Sequence, residues 1–303
     1  MPETACHNPL VRVLVGGASG LIGSALVPAF RAAGHDVVRL VRREPAGADE
    51  VRWDPAAEHL DAAALTGVAA IVNLSGENLG QRWTASRKRE ILESRVSATS
   101  LLARAVAAVE PRPAVLLNAS AVGAYGNRGD EILTEASERG TGFLADVVRA
   151  WEEAADPARD AGVRVVHFRQ GIVLSALVQR MLLPFRLGLG GRIGSGKQWW
   201  SWVSLGDLTA GYVHALESDL AGAVNLTSPN PVTNAQLTKA LGKALNRPTV
   251  VPVPAVAART VFGQMGQEML LEGQRVLPAR LLDAGFAFGA PTIERGLAEA
   301  LAG

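Results

Sequence analysis

VLVGGASGLIGSAL (13–26) decides the fold of this chain. The apolar run at 11–15 predicts a buried strand, and 21–33 carries a helical pattern. Between them Gly17, Gly20 and Gly23 stand at G-x-x-G-x-x-G spacing. Strand, glycine turn and helix in direct succession make a phosphate site. Gly17 permits the tight turn, Gly20 lets the backbone approach a pyrophosphate, and Gly23 lets the helix pack on the strand. The diphosphate then lies at the helix N-terminus, where free N–H groups and the helix dipole favour anions. The expected cofactor contacts here are Gly17, Ser19, Gly20, Leu21, Ile22 and Gly23.

The same rhythm continues through the first half. Short apolar strands are predicted at 35–41, 69–74, 114–119 and 163–168, with helices at 85–110 and 143–161. Such β-α alternation predicts an α/β chain of Rossmann type, a doubly wound parallel sheet with right-handed crossovers. Beyond about 175 the rhythm changes. A glycine-dense stretch at 187–196 precedes Trp199, Trp200 and Trp202. A helix at 208–217, a strand at 223–226 and a helix at 234–245 follow. The expected division is a Rossmann domain over 10–174 and a smaller C-terminal substrate lobe over 175–303. Some elements of the lobe return to the first domain.

Composition narrows the function. The 303 residues are 48% hydrophobic and 19% charged, and 30 basic against 29 acidic side chains leave a net charge of +1. That balance argues against nucleic acid or an anionic membrane as partner. Cys6 is the one cysteine, so no intrachain disulfide forms. The first ten residues lack the basic and apolar regions of a signal peptide, and no apolar run approaches the ~18 residues that span a bilayer. A cytoplasmic location is expected. The five histidines show no metal-ligand spacing, and no G-x-S-x-G elbow is present.

The second strand ends in Val41-Arg42-Arg43, with no acid until Glu44. An acid near this point would hold a ribose 2′-hydroxyl, whereas a guanidinium pairs with a 2′-phosphate. NADP(H) is therefore expected over NAD, with Arg42 as the main contact and Arg43 next.

Several long segments resemble one family: GGASGLIGSAL, VNLSGENLGQRWT (72–84), LLNASAVGAYG (116–126), GTGFLADVVRAWEEAA (140–155), LPFRLGLGGRIGSGKQWWSWV (183–203), NLTSPNPVTN (225–234) and GQRVLPARLLDAGFAF (273–288). Together they resemble the extended short-chain dehydrogenase/reductases. They are closest to the atypical "epimerase family" branch, which carries a C-terminal domain of unknown function. The resemblance implies NADP(H) binding, with Leu74, Ser75, Gly76, Ala119 and Gly171 also lining the cofactor. It implies a homodimer through helices such as 87–109 and 143–161.

The superfamily's proton relay is a Tyr-x-x-x-Lys pair. Four residues after the two tyrosines, Tyr125 and Tyr212, stand Gly129 and Leu216, so the pair is absent. Its matching positions are Phe143 and Val147. Ser120 resembles the active-site Ser/Thr, with Ala121 as the rival register. Tyr125 becomes the acid candidate by elimination. Glu77 and Asn78 are expected to face the crevice. Ala124 stands where relatives have an aromatic and Gln170 where they have a threonine, which suggests a pocket opened for a bulky or apolar small molecule. Gln198, Trp199 and Trp202 are expected to line it. The expected activity is NADPH-dependent reduction of a C=O or activated C=C. The alternatives are a nucleotide-sugar epimerase or dehydratase and a non-catalytic NADP(H) sensor.

Overall fold

In a computed structural model covering residues 10–302, Val13, Leu14 and Val15 are wholly buried in the first strand, β1 (Arg12–Gly16). Cys6 and the rest of residues 1–9 lie outside the described residues. A continuous apolar run belongs in a strand covered on both faces, and β1 lies in the interior of an eight-stranded sheet. The others, in chain order, are β2 (Asp36–Val41), β3 (Glu50–Asp54), β4 (His59–Leu60), β5 (Val68–Asn73), β6 (Val115–Ala121), β7 (Arg164–Gln170) and β8 (Gly222–Leu226). They lie in the order β8-β7-β6-β5-β1-β2-β3-β4. All neighbours are parallel except β3 and β4. Chain direction across the sheet reverses between β1 and β5. In such sheets the crevice at the carboxyl ends beside that switch receives ligands.

Helices α1 (Leu21–Ala32), α2 (Ala85–Ala108), α3 (Phe143–Glu153), α4 (Leu174–Arg186), α5 (Leu205–Glu217), α6 (Asn234–Leu245), α7 (Ala255–Phe262) and α8 (Ile293–Ala302) cover the sheet and build the lobe. Alternate β1 residues face opposite cores, as the pleat requires. Val13 and Val15 join Leu26 and Phe30 of α1 and Leu208 and Tyr212 of α5. Leu14 joins Leu102 and Val106 of α2 on the other face. A third core, around Trp200, Trp202, Leu237, Leu241, Ile293 and Leu297, unites α4, α6 and α8 as the lobe.

Three departures from the sequence reading have local causes. The helix expected over 143–161 breaks after Glu153, and a short helix, Asp156–Asp160, restarts with Pro157 in its first turn. Proline is tolerated there because its missing N–H has no partner at a helix start. β3 (EVRWD) was not legible as a strand because Glu50 is buried, which only its arginine partners permit. α4 contains Pro184, which masks its helical pattern. Elements after 175 lie against the main sheet: β8 pairs with β7, and α5 packs on α1. Three further ladders stitch the chain together, Trp199–Trp200 with Val232–Thr233, Ile172–Val173 with Trp202–Val203 and Ile132–Leu133 with Arg275–Val276. Among the described residues no helix is long and apolar enough to cross a membrane.

Candidate cofactor and active site

The glycine turn after β1 has the shape its spacing predicts. Gly17 sits at φ +78°, and a Cβ there would lie 2.8 Å from the Leu74 carbonyl. At Gly23 a Cβ would lie 2.4 Å from the Gly17 oxygen, so the helix and the turn touch. Gly20 differs. Its Cβ would meet only the Gly17 oxygen at 3.4 Å, an ordinary contact, so the space before it is open. Gly20 also N-caps α1 without a side-chain cap, and no acid occupies the first turn. The orphan N–H groups of a helix start are thus left for an anion. Ser75 adds a second sign. Its hydroxyl is buried without a hydrogen-bond partner and would be 3.2 Å from a Cβ on Gly16. An orphaned buried hydroxyl beside an open anion cradle fits a dinucleotide. Leu74, Ser75 and Gly76 leave the end of β5 here, and the Leu74 N–H donates to the Gly16 carbonyl at 2.9 Å.

The two arginines after β2 diverge. Arg42 is exposed and forms no hydrogen bond or ion pair with another described residue. Arg43 is occupied: both Nη atoms donate to the Glu50 carboxylate at 2.6 and 2.7 Å. Arg43 is therefore not a free phosphate contact, which corrects the pairing expected from sequence. The Arg43 hydrogen bonds, with the Ala46 N–H, hold the Glu50 carboxyl at about 2. A carboxyl lowered on folding stabilises the fold above its ordinary range and loses that contribution as pH falls through its folded value. We expect the melting temperature of wild type to fall more steeply than that of Glu50→Gln between pH 4.5 and about 2, followed by circular dichroism.

Ser120 and Tyr125 do not form the open proton relay expected of them. Ser120 is buried and donates to Glu152 Oε1 at 2.6 Å. Glu152 also accepts from Arg169 Nε at 2.9 Å, from Arg169 Nη2 at 3.0 Å and from Arg139 at 2.6 Å. Arg169 Nη1 donates to the Tyr125 hydroxyl at 3.1 Å, and that hydroxyl donates to Asn225 Oδ1 at 2.7 Å. Tyr125 is fully buried. Burial pushes its phenol up against the charge of Arg169, the wrong direction for an acid. Burial alone would raise the Glu152 carboxyl too, but the Arg169 hydrogen bonds and charge outweigh it and the net is low. This is a buried ion cluster. Ala121, the rival register, is the part-exposed residue at the end of β6, whereas Ala119 lies two residues inside the strand and is buried.

Other expectations are redistributed in the same way. Ala124 is sealed, so the missing aromatic opens nothing at that point. Gln170 donates to the Tyr212 hydroxyl at 2.8 Å. A Cβ on Gly171 would lie 2.6 Å from the Ser201 carbonyl oxygen, so this glycine serves strand contact. Trp202 is core, donating to the Asn230 carbonyl at 3.1 Å. Trp199 donates to Asp130 at 2.6 Å and lies under the Arg275 guanidinium, 4.4 Å from its ring. Gln198 bridges the carbonyls of Ile193 and Leu270. Glu77 and Asn78 follow β5 and are engaged by arginines: Glu77 pairs with Arg87 at 3.2 Å and Asn78 takes a long contact from Arg180 at 3.5 Å.

Two features of the crevice have no counterpart in the sequence reading. Buried Arg95 of α2 donates to the Ile91 and Glu77 carbonyls and stacks 5.1 Å from the Trp151 ring; burial lowers its guanidinium to about 10. Glu268 reaches in from a π-helical turn, Gly266–Leu271, and its carboxylate accepts from the Leu144 N–H at 3.1 Å. Neither has a local motif. The first is one arginine on an arginine-rich helix, and the second is 124 residues from its partner.

The fold, the uncapped glycine turn and the crevice define a dinucleotide-binding Rossmann chain. Residues 13–226 match the model of the NAD dependent epimerase/dehydratase family, and the chain belongs to that family. Residues 253–300 match a domain of unknown function, DUF1731. The epimerase family protein Mb2239 of Mycobacterium bovis is 48% identical over 290 residues, 94% of this chain and 96% of that protein. The crystal structure of human epimerase family protein SDR39U1 with NADPH superposes with a TM-score of 0.88 at 37% identity, covering 96% of this chain and 99% of that one. The nucleoside-diphosphate sugar epimerase from Corynebacterium glutamicum gives 0.80 at 37% identity, over 97% of this chain and 58% of that one.

Proposed function

We propose that the chain is an NADPH-dependent reductase acting on a C=O or activated C=C of a small, largely apolar substrate. The observation that carries the cofactor is the open face of Gly20, with Arg42 unpaired among the described residues, in a chain similar to a human protein crystallised with NADPH. Gly17, Gly20 and the first N–H groups of α1 would hold the diphosphate, Arg42 the 2′-phosphate and Ser75 a polar edge of the cofactor. Bound there, the reduced nicotinamide supplies hydride. The residues' own work is orientation and exclusion of water. Leu79, Trp83, Phe143, Leu144, Met265 and Met269 form an apolar cluster at the crevice, which suits an apolar substrate.

The family description also favours an epimerase, and the similar Corynebacterium glutamicum structure is named a nucleoside-diphosphate sugar epimerase. That chemistry must first deprotonate a hydroxyl, and Phe143 and Val147 stand where the proton relay is expected. Turnover of UDP-glucose would overturn the reductase reading.

Titration with NADPH and NADH, followed by nicotinamide fluorescence, tests the cofactor. The expected result is tight NADPH binding that weakens about 10- to 100-fold in Arg42→Ala, a loss of roughly 1.5–3 kcal/mol for a charge-assisted contact, with NADH binding unchanged. Equal effects on both cofactors would remove Arg42 from this role.

A further inference from the structure

The position left without a tyrosine is served from the far end of the chain. Glu268 Oε2 accepts from the Leu144 N–H at 3.1 Å and Oε1 from the Phe143 N–H at 3.4 Å. These are the first two residues of α3. Leu144 packs against the loop leaving the carboxyl end of β6, where a Cβ on Gly123 would meet it at 3.1 Å. The carboxylate therefore lies at the ligand-binding edge of the sheet. It makes no ion pair among the described residues. Its side-chain partner is Gln264, at 2.6 Å, and Gln264 in turn accepts from Lys88, whose ammonium stands 5.1 Å from the Phe143 ring centre. Phe143 and Leu144, whose N–H groups it accepts from, belong to an apolar cluster with Trp83, Met265 and Met269.

The remaining polar candidates are committed elsewhere. Ser120 is held by Glu152, Tyr125 is sealed between Arg169 and Asn225, and Glu77 is paired with Arg87. Glu268, by contrast, is part-exposed and carried on a π-helical turn, a rare form that concentrates at functional sites.

We propose that Glu268 is the acid–base group of the reacting centre, a carboxyl contributed to the Rossmann site by the domain of unknown function. The inference rests on the reductase reading above. As hydride from the reduced cofactor reaches the carbonyl carbon, the C=O π bond opens. A proton taken up from solvent by Glu268 would pass to that oxygen. The substrate gains two electrons and the cofactor is oxidised. The carboxylate left behind rests on two N–H groups of α3, where a helix start favours an anion, and solvent returns its proton. The reverse reaction uses the carboxylate as base.

A carboxylate beside the nicotinamide attracts the cationic oxidised ring more than the neutral reduced ring. Binding alone therefore reads out its position. NADPH would be titrated by fluorescence and NADP⁺ by displacement of NADPH, in wild type and Glu268→Gln, which keeps an acceptor for the α3 N–H groups. The expected Kd for NADPH changes less than about twofold, while that for NADP⁺ weakens about fivefold, the size of one unit-charge interaction at about 4 Å in a solvated site. Glu268→Ser, which offers a hydroxyl cap, serves as the second variant if the first does not fold, and must shift the ratio in the same way. Glu272→Gln, on the same segment but bonded to Gln267, must leave it unchanged. An unchanged NADP⁺/NADPH ratio in a folded Glu268 variant overturns this assignment and leaves the cofactor reading intact. A wild-type chain that binds neither cofactor overturns both.

Discussion

Gly20→Ala should melt at the wild-type temperature and bind NADPH at least about 100-fold more weakly. The two halves of this expectation come from one measurement of space. The added methyl meets nothing closer than the Gly17 oxygen at 3.4 Å, so the protein itself has no reason to move. The methyl instead projects in front of the α1 N–H groups, where a diphosphate must come within hydrogen-bond distance of the backbone. Losing the direct approach forfeits several charge-assisted hydrogen bonds of roughly 1.5–3 kcal/mol each. Gly23→Ala is the contrasting case. Its methyl would lie 2.4 Å from the Gly17 oxygen and 2.6 Å from Ala18 Cα, so turn and helix must part. That variant should lose both stability and binding. Thermal melts beside fluorescence titrations separate the two. A Gly20→Ala chain that binds NADPH normally would show that the diphosphate lies elsewhere.

Glu152→Ala should be the most destabilising single substitution outside the hydrophobic cores. It leaves Arg169, 4% exposed, with its guanidinium facing no carboxylate, and strips Ser120 and Arg139 of an acceptor. Removing one partner of a buried pair costs about 3–5 kcal/mol, because the remaining charge is stranded in a low dielectric. For a chain of this length that corresponds to a fall in melting temperature on the order of 10 °C. The double variant Glu152→Leu/Arg169→Leu should recover much of the loss, since no charge remains buried. If Glu152→Ala melts within about 2 °C of wild type, the cluster does not hold the ends of β6, β7 and α3 together.

What was legible in the chain is what depends on neighbours in sequence. The strand, glycine turn and helix at 13–32 rest on local spacing, and the structure reproduces them within a residue at each end. α6 begins and ends as read, because Thr233 and Gln236 form a capping box and Asn246 turns left-handed at its end. The fates of Ser120 and Tyr125 were not legible. In a strand one step of the pleat sends a side chain to the opposite face, and sequence alone left the choice between Ser120 and Ala121 open. For Trp202 and Gln198 the general place of their segment predicts a pocket lining. Their destinations, a core and a pair of backbone carbonyls, are set by contacts up to 94 and 72 positions away. Glu50 and Glu152 look like surface acids until the arginines that permit their burial are in place.

The ladder between Ile132–Leu133 and Arg275–Val276 has a consequence for how the molecule is made. A ribosome delivers the glycine turn, β1 and β5 early, so the nucleotide cradle can form while most of the chain is still being synthesised. The strand that pairs with residues 132–133 arrives near the end of translation, together with Glu268 and with Gly289 and Ala290, whose N–H groups bind Asp207. The residues of the glycine turn thus precede in synthesis the segment that carries Glu268. On the proposed function, a chain stopped early in the last quarter would keep the glycine turn and lack Glu268.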